Sequence, residues 1–116
     1  MRLLLLLCLL GSAIAMAGNE NYQVWMEARP QDSRLDVVPY VAVSEPAQLR
    51  YELLYTKLGR AGKASARQSG TLAVACCEPR VLSRLSFSLQ EGDRYELSLQ
   101  AYVQDRLVAA QTLNYP

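Results

Sequence analysis

Histidine is absent from this sequence. Its absence excludes Ser-His-Asp and Cys-His nucleophilic sites, zinc sites with histidine ligands and the side chain that most often acts as a general base near neutral pH. Two carboxylates could still carry acid–base chemistry, but the acidic residues are scattered and so small a domain has little room for a deep cleft. We therefore expect no enzymatic activity, no metal and no cofactor.

Long apolar runs are also absent, apart from one at the beginning. The run Leu3–Leu10 follows Arg2 and precedes the small-residue stretch GSAIAMA. This pattern predicts a secretory signal peptide over residues 1–17, cleaved after Ala15 or Ala17, and the run is too short to cross a bilayer about 30 Å thick. We expect an exported protein with no stable membrane association, and a single domain over residues 18–116.

An excess of one charge is missing from the chain as a whole. Twelve lysines and arginines face eleven acidic residues, and removal of Arg2 with the signal peptide balances the two signs. The local exception runs from Arg50 to Arg67, where five cations accompany the single anion Glu52. These cations are Arg50, Lys57, Arg60, Lys63 and Arg67. Any electrostatic function is therefore expected in this segment, unless it is merely a solvated loop.

The basic segment does not fit two familiar kinds of binding site. A phosphate-binding loop requires G-x-x-x-x-G-K-[ST] before a helix, whereas here Gly59 and Gly62 lie three residues apart, Ala64 follows Lys63 and strands come next. A nucleic-acid site requires aromatic residues between the cations, and residues 58–75 contain none. No nucleic-acid partner is therefore expected.

The cysteines do not predict redox chemistry. Reactive dithiols usually have C-x-x-C spacing at a helix N-terminus, but Cys76 and Cys77 are adjacent and lie among strands. Adjacent cysteines can be joined only through a strained ring, and such bridges are uncommon, so we expect one buried thiol and one at a loop, with a disulfide between the two as the alternative. The two sheets of the fold are expected to be held together without a disulfide.

Apolar and polar residues alternate in short segments separated by turn residues, which is typical of half-buried antiparallel strands. The predicted strands are 22–27, 34–43, 48–58, 69–75, 81–89, 94–103 and 106–115. About seven such strands in roughly 100 residues predict an all-β, immunoglobulin-like sandwich. Pro39 indicates an edge or a bulge, and Gln104 and Asp105 a tight reversal. Tyr95 could fold back onto the upstream backbone as a tyrosine corner or be an ordinary half-buried strand residue.

Several segments taken together resemble the CsgC-like family of curli assembly chaperones, which includes CsgC and CsgH. They are VVPYVAV, LRYELLYTKLG, GRAGKASARQSGTLAV, LSRLSFSLQEGDRYELSLQAYVQDR and the C-terminal AAQTLNYP. The resemblance extends from about Leu35 to Pro116. CsgC carries a Cys-x-Cys pair where this chain reads SEPAQLRYEL, without a cysteine. The chain is therefore more similar to the CsgH-like branch, which lacks that pair. The cysteines on which a thiol oxidoreductase role would depend in CsgC are absent from this segment.

The resemblance implies a periplasmic protein that binds the major curlin subunit and inhibits premature amyloid formation through a positively charged sheet surface. We expect this protein to be a monomer. The residues expected to bind the partner are Arg50, Lys57, Arg60, Lys63, Arg67 and Gln68. Residue parity on a strand places Arg67 with Ser69 and puts Gln68 on the opposite face. Two alternatives are a fibre subunit that acts by strand addition and a periplasmic thiol oxidoreductase.

Overall fold

A computed structural model describes residues 14–18 and 21–116 of the chain. Nine β-strands and no α-helix lie within those ranges. The strands are β1 (Ile14–Gly18), β2 (Tyr22–Gln31), β3 (Arg34–Val43), β4 (Ala47–Gly59), β5 (Gly62–Val74), β6 (Arg80–Val81), β7 (Leu85–Ser88), β8 (Arg94–Val103) and β9 (Arg106–Tyr115). Across those residues, accordingly, no helix is long and apolar enough to span a membrane.

The strands form two antiparallel sheets. The larger sheet has the order β1-β9-β8-β4-β5, and the smaller sheet has β3 between β2 on one side and β6 and β7 on the other. The buried apolar residues form one core cluster to which both sheets contribute. The predicted all-β sandwich is therefore confirmed.

The alternation in the sequence correctly predicted which side chains enter this core. On β4, Leu49, Tyr51 and Leu53 are buried while the residues between them are more exposed, and on β8 the same holds for Leu97 and Leu99. Successive strand residues point to opposite faces. One face of the larger sheet therefore packs against the smaller sheet, and its other face, called here the outer face, meets solvent.

Three of the predicted strands differ from the structure by more than one residue. The strand predicted over 22–27 extends to Gln31 as β2. The segment predicted as one strand from Val81 to Leu89 forms the two short strands β6 and β7. The strand predicted to begin at Ser69 begins at Gly62, so the basic segment lies in strands apart from the turn at Arg60 and Ala61, and the loop interpretation was wrong. Small residues have little strand propensity of their own. Residues 62–68 are a strand because β4 pairs with β5 without interruption, from the pair Ala47 and Val74 to the pair Gly59 and Gly62.

Pro39 does not lie on an edge strand, because β3 is paired on both sides, but three residues, 82–84, face Val38 and Pro39 there, which is the extra residue of a bulge. Pro39 pairs with Met26 on β2, and on the other side it falls between the segments of β3 that pair with β6 and with β7. The ladder is thus interrupted beside the proline. Of the two predicted locations the edge is therefore wrong, whereas a bulge agrees with the change of register beside Pro39, a residue that cannot donate a ladder hydrogen bond.

The predicted turn is confirmed, and of the two alternatives for Tyr95 the structure shows the tyrosine corner. Gln104 and Asp105 connect β8 to β9 and both have positive φ, of 52° and 63°, as expected for a two-residue hairpin turn. At the start of β8, the buried Tyr95 donates its hydroxyl hydrogen bond to the backbone carbonyl of Ser88 at the end of β7. This contact ties a strand of one sheet to a strand of the other, which is the geometry of a tyrosine corner.

Replacing Tyr95 with phenylalanine is expected to lower the free energy of unfolding by about 1 kcal/mol, because the Ser88 carbonyl loses its donor. In a domain of this size that corresponds to a melting temperature about 4–8 °C lower. Thermal unfolding followed by circular dichroism measures the effect. Tyr22→Phe is the matched control, since its hydroxyl makes no hydrogen bond within the described part of the chain. An equal shift in both variants would contradict the role assigned to the corner.

The predicted signal peptide falls largely outside the described residues, which begin at position 14. Its last four positions belong to β1, which pairs with β9 in the register Ile14–Leu113 to Gly18–Ala109. Cleavage after Ala15 or Ala17 would remove part or most of that pairing. The signal peptide and its cleavage site therefore stay predictions.

The expectation for the cysteines was wrong. Cys76 and Cys77 are joined in a disulfide between adjacent residues, and neither is buried. Cys77 has a φ of 118°, so the backbone adopts an unusual conformation where β5 has ended. The Sγ of Cys76 lies 3.1 Å from the carbonyl oxygen of Ser44 in the β3–β4 connection. The bridge closes a local turn and does not link the two sheets.

Candidate functional surface

The basic segment occupies the middle of a long hairpin made of β4 and β5, from Arg50 on β4 through the turn to Arg67 on β5. Thirteen residue pairs run from Ala47–Val74 to Gly59–Gly62 without a change of register, and Arg60 and Ala61 form the turn. Gly62 has a φ of 117°, a conformation that favours glycine. The hairpin therefore presents its cations at fixed positions on a sheet.

Two of the predicted residues, Lys63 and Arg67, lie on the outer face of this hairpin. Both are exposed, and neither forms an ion pair within the described ranges. The register places Lys63 opposite Leu58 and Arg67 opposite Leu54. These leucines are 40% and 41% exposed, which is unusual for large apolar side chains in this molecule. Each cation thus stands beside an apolar group.

Arg60 lies in the turn and is exposed as well, with no ion pair among the described residues. Arg60, Lys63 and Arg67 are called the distal cations below. Within residues 14–18 and 21–116 no acidic side chain neutralises their positive charge. They leave the far half of the hairpin positively charged in a chain whose net charge is only +1.

Arg50 shares the outer face, but its charge is compensated. Its guanidinium lies 2.8 Å from a carboxylate oxygen of Glu52 and 3.9 Å from one of Asp105. It also lies over the ring of Tyr102, 4.3 Å from the ring centroid. A guanidinium that is ion-paired and stacked on a ring is less available to a binding partner than a free one. The main contribution of Arg50 is therefore to the contacts within the sheet and not to the charge presented to a partner.

Lys57 projects to the opposite face, which separates it from the distal cations. Its Nζ lies 3.4 Å from the Asp93 carboxylate and 3.3 Å from the Ser88 hydroxyl. Desolvation of the ammonium by burial lowers the pKa of Lys57, but Tyr95 and Asp93 together outweigh this and hold that pKa above its ordinary value. Lys57 therefore remains charged and joins the hairpin to the connection between β7 and β8.

Asp93 explains why a glycine ends β4. The carboxylate is buried and accepts a hydrogen bond of 2.9 Å from the backbone nitrogen of Gln90. A Cβ on Gly59 would lie only 2.6 Å from its Oδ1, which is closer than real contacts allow. The hairpin can pass beside Asp93 only because residue 59 lacks a side chain.

Gln68 also lies on the face opposite Arg67, as its parity predicted. It pairs with Leu53 across the hairpin and is half-buried. Its Oε1 is buried and has no hydrogen-bond partner within the described part of the chain. Gly70, the next residue of β5 on the same face, leaves room for the ring of Tyr51. A Cβ on residue 70 would lie only 2.9 Å from that ring. The structure thus does not bring Gln68 together with the distal cations.

The surface that results contains the distal cations and the two exposed leucines, Leu54 and Leu58. Sequence reasoning had singled out the cations and had passed over the leucines. The sequence did contain a sign of the exposed leucines, because the alternation on β4 places Leu54 on the same face as the polar residues Arg50, Glu52 and Thr56. Over the described residues, no group of three or more acidic, cysteine or histidine side chains could hold a metal ion. The arrangement is suited to contact with an extended chain that carries acidic and apolar side chains.

Comparison with known proteins supports the fold and the family. The solved structure of the E. coli curli protein CsgC has a TM-score of 0.68 at 21% sequence identity, over 78% of this chain and 96% of that one. The solution structure of R. palustris CsgH has a TM-score of 0.63 at 16% identity, over 78% and 89%. No curated protein sequence matches the chain significantly. The placement in the CsgH-like branch stays a prediction.

The family comparison covers most of the sequence. The model of the family described as thin aggregative fimbriae synthesis protein, Tafi-CsgC, matches residues 14–111. That range includes both sheets, from β1 to most of β9, and therefore the whole candidate surface. The chain belongs to the CsgC-like family of thin aggregative fimbriae synthesis proteins.

Proposed function

We propose that this protein is a periplasmic chaperone that binds the major curlin subunit and delays its assembly into amyloid during curli biogenesis, without catalysing a reaction. The observation that carries the proposal is the presence of unpaired cations beside exposed leucines on the outer face of the β4–β5 hairpin. A chain that is still extended exposes charged and apolar groups together. A sheet surface that carries both kinds of group can contact such a chain through both at once.

The family supports this proposal in its coarser form. Members of the CsgC-like family take part in the synthesis of thin aggregative fimbriae. A protein with a secretory signal peptide would meet the curlin subunit after export, in the periplasm. Charge on the hairpin would steer the encounter with an acidic or polar curlin species.

The test is a thioflavin fluorescence assay of curlin assembly with the mature protein at substoichiometric ratio. A chaperone is expected to lengthen the lag phase and to remain in the supernatant after the fibres are sedimented. The alternative function, a fibre subunit that acts by strand addition, predicts instead that the protein is incorporated into the fibres. An unchanged lag phase, with no protein in the pellet, would contradict both functions.

Replacing Cys76 and Cys77 together with serine is expected to leave inhibition of curlin assembly unchanged. The two sulfurs lie away from the distal cations, just beyond the other end of β5. The chain has no histidine, and the described residues 14–18 and 21–116 contain no helix N-terminus that could activate a thiolate. The assay is the same lag-phase measurement, with circular dichroism as the check on folding. Loss of inhibition in a folded variant would instead favour the thiol oxidoreductase hypothesis.

A further inference from the structure

The strand β5 is an open edge of the larger sheet. It pairs with β4 on one side, and on its other side no strand of the described residues pairs with it. Over its thirteen residues it contains no proline, and its register with β4 shows no bulge. Proteins usually interrupt long edges with such features because the unpaired backbone groups are a template for another chain. This edge is left regular.

The hairpin geometry identifies which backbone groups point outward. A two-residue turn closes on a hydrogen-bonded pair, here Gly59 and Gly62, and hydrogen-bonded pairs then recur at every second residue. The even-numbered residues of β5 therefore bond to β4, and the odd-numbered residues direct their N–H and C=O groups away from the sheet.

A side chain at one end of the edge supports this assignment. The Nη1 of Arg80 donates a 2.8 Å hydrogen bond to the carbonyl oxygen of Ala73, an odd-numbered residue. That contact shows that an outward carbonyl of this edge accepts a hydrogen bond from a donor beyond the strand. For the odd-numbered residues from Lys63 to Thr71, no hydrogen bond within the described ranges uses the backbone N–H and C=O groups that point away from the sheet.

The odd-numbered residues also carry the charge of the strand. Lys63 and Arg67 are four residues apart on the outer face, and β5 contains no acidic residue. At about 3.3 Å per residue their Cα atoms are roughly 13 Å apart, which is also the spacing of positions i and i+4 on a neighbouring strand. On the other face, Ala64, Ala66 and Gly70 leave space beside the edge.

We propose that the edge of β5 from Lys63 to Thr71 binds an extended acidic segment of a partner polypeptide by strand addition. The main chain of that segment bonds to the outward groups of β5, and acidic side chains four residues apart face Lys63 and Arg67. This is β-augmentation, in which backbone hydrogen bonds give affinity and side chains give specificity. The inference rests on the proposed function, because it names how the surface would hold the partner.

The variant Ser69→Pro tests the edge without changing a charge. Proline removes one outward N–H and is tolerated where the N–H of an edge strand faces solvent. The matched control Ser69→Ala changes the same side chain and keeps the N–H. The probe is a synthetic strand of valine and threonine with glutamate at every fourth position, titrated by NMR. Ser69→Pro is expected to weaken its binding about tenfold, and Ser69→Ala to leave it within about twofold, because only the former loses a main-chain hydrogen bond.

Amide hydrogen exchange of the native protein provides a second measurement that does not depend on a variant. Saturation with the peptide is expected to slow the exchange of Ser65, Arg67 and Ser69 about tenfold or more, since their N–H groups become bonded. Unchanged exchange at these residues under saturation overturns the proposal. So does equal binding of the peptide by folded Ser69→Pro and Ser69→Ala. If Ser69→Pro loses its native circular dichroism, the exchange result alone decides.

The two proposals can fail separately. If wild type and folded Ser69→Pro inhibit curlin assembly equally, strand addition is rejected. The proposed chaperone function would then depend on the charged outer face alone. The peptide could slow amide exchange in β5 while the protein has no effect on the curlin lag phase. That result would support strand addition at the β5 edge and reject curlin as the partner.

Discussion

Reversing two distal cations, with Lys63→Glu and Arg67→Glu in one variant, is expected to remove most inhibition of curlin assembly at low salt. Both side chains are exposed and without ion pairs in the described part of the chain, so the free energy of unfolding should change by only about 0.5 kcal/mol. The sign of the charge beside Leu54 and Leu58 is inverted. An acidic partner segment would then be repelled at the encounter step.

Salt provides an independent measure of the same effect. The Debye length falls from about 10 Å at 0.1 M to about 3 Å at 1 M, so inhibition by the wild type should weaken as salt rises. The charge-reversed variant should show little further loss. The measurement is the thioflavin lag phase over a series of salt concentrations, compared with a curlin-only reaction in each buffer.

The chain offers a matched control for charge. Arg29→Glu with Arg84→Glu changes the net charge by the same amount, and these residues are exposed on the smaller sheet, where both line a shallow groove. That variant should inhibit as the wild type does. Full inhibition by Lys63→Glu with Arg67→Glu at low salt would show that the working surface lies elsewhere. Equal loss in both variants would indicate a response to net charge alone.

Replacing Leu53 with alanine is expected to lower the free energy of unfolding by about 2–5 kcal/mol. Leu53 is fully buried at the middle of β4 and has neighbours on both sides, Gln68 on β5 and Leu99 on β8. The variant loses apolar contact and leaves a cavity that strands paired on both sides cannot readily close. With a total stability of about 5–15 kcal/mol, a domain of this size could lose a third or more.

The adjacent residue is the control for Leu53. Leu54 has the same side chain on the same strand but points to solvent and is 41% exposed, so Leu54→Ala should change stability by about 0.5 kcal/mol or less. Urea unfolding followed by circular dichroism measures both variants. Similar midpoints for Leu53→Ala and Leu54→Ala would show that the sheet does not have the faces described here.

How far the sequence predicts this structure depends on whether a residue's environment is determined by its own strand. Alternation on β4 and β8 was sufficient to find the core, because one face of each strand is apolar. The tyrosine corner and the turn at Gln104 and Asp105 were also accessible, since both depend on residues close in the chain. The fold class therefore followed from local patterns.

Features determined by neighbouring strands could not be read in the same way. The strand character of residues 62–68 comes from pairing with β4, because glycine, alanine and serine do not favour strands themselves. Lys57 was grouped with the distal cations since it belongs to the same basic segment, but strand parity and the distant Asp93 place it on the other face. The interruption of pairing beside Pro39 likewise depends on residues about forty positions later.

The burial pattern along β5 has a consequence for local stability. Of its thirteen residues only Val74, at the far end from the turn, is buried, and the six residues from Gly62 to Arg67 are all exposed. Segments with few buried apolar contacts separate from a folded domain at a small fraction of the global free energy. The hairpin should therefore fray from its turn while β4, paired on both sides, stays in place. A partner that holds β5 closed would raise the cost of this fraying, so the partner's binding energy and the strand's opening energy are thermodynamically linked.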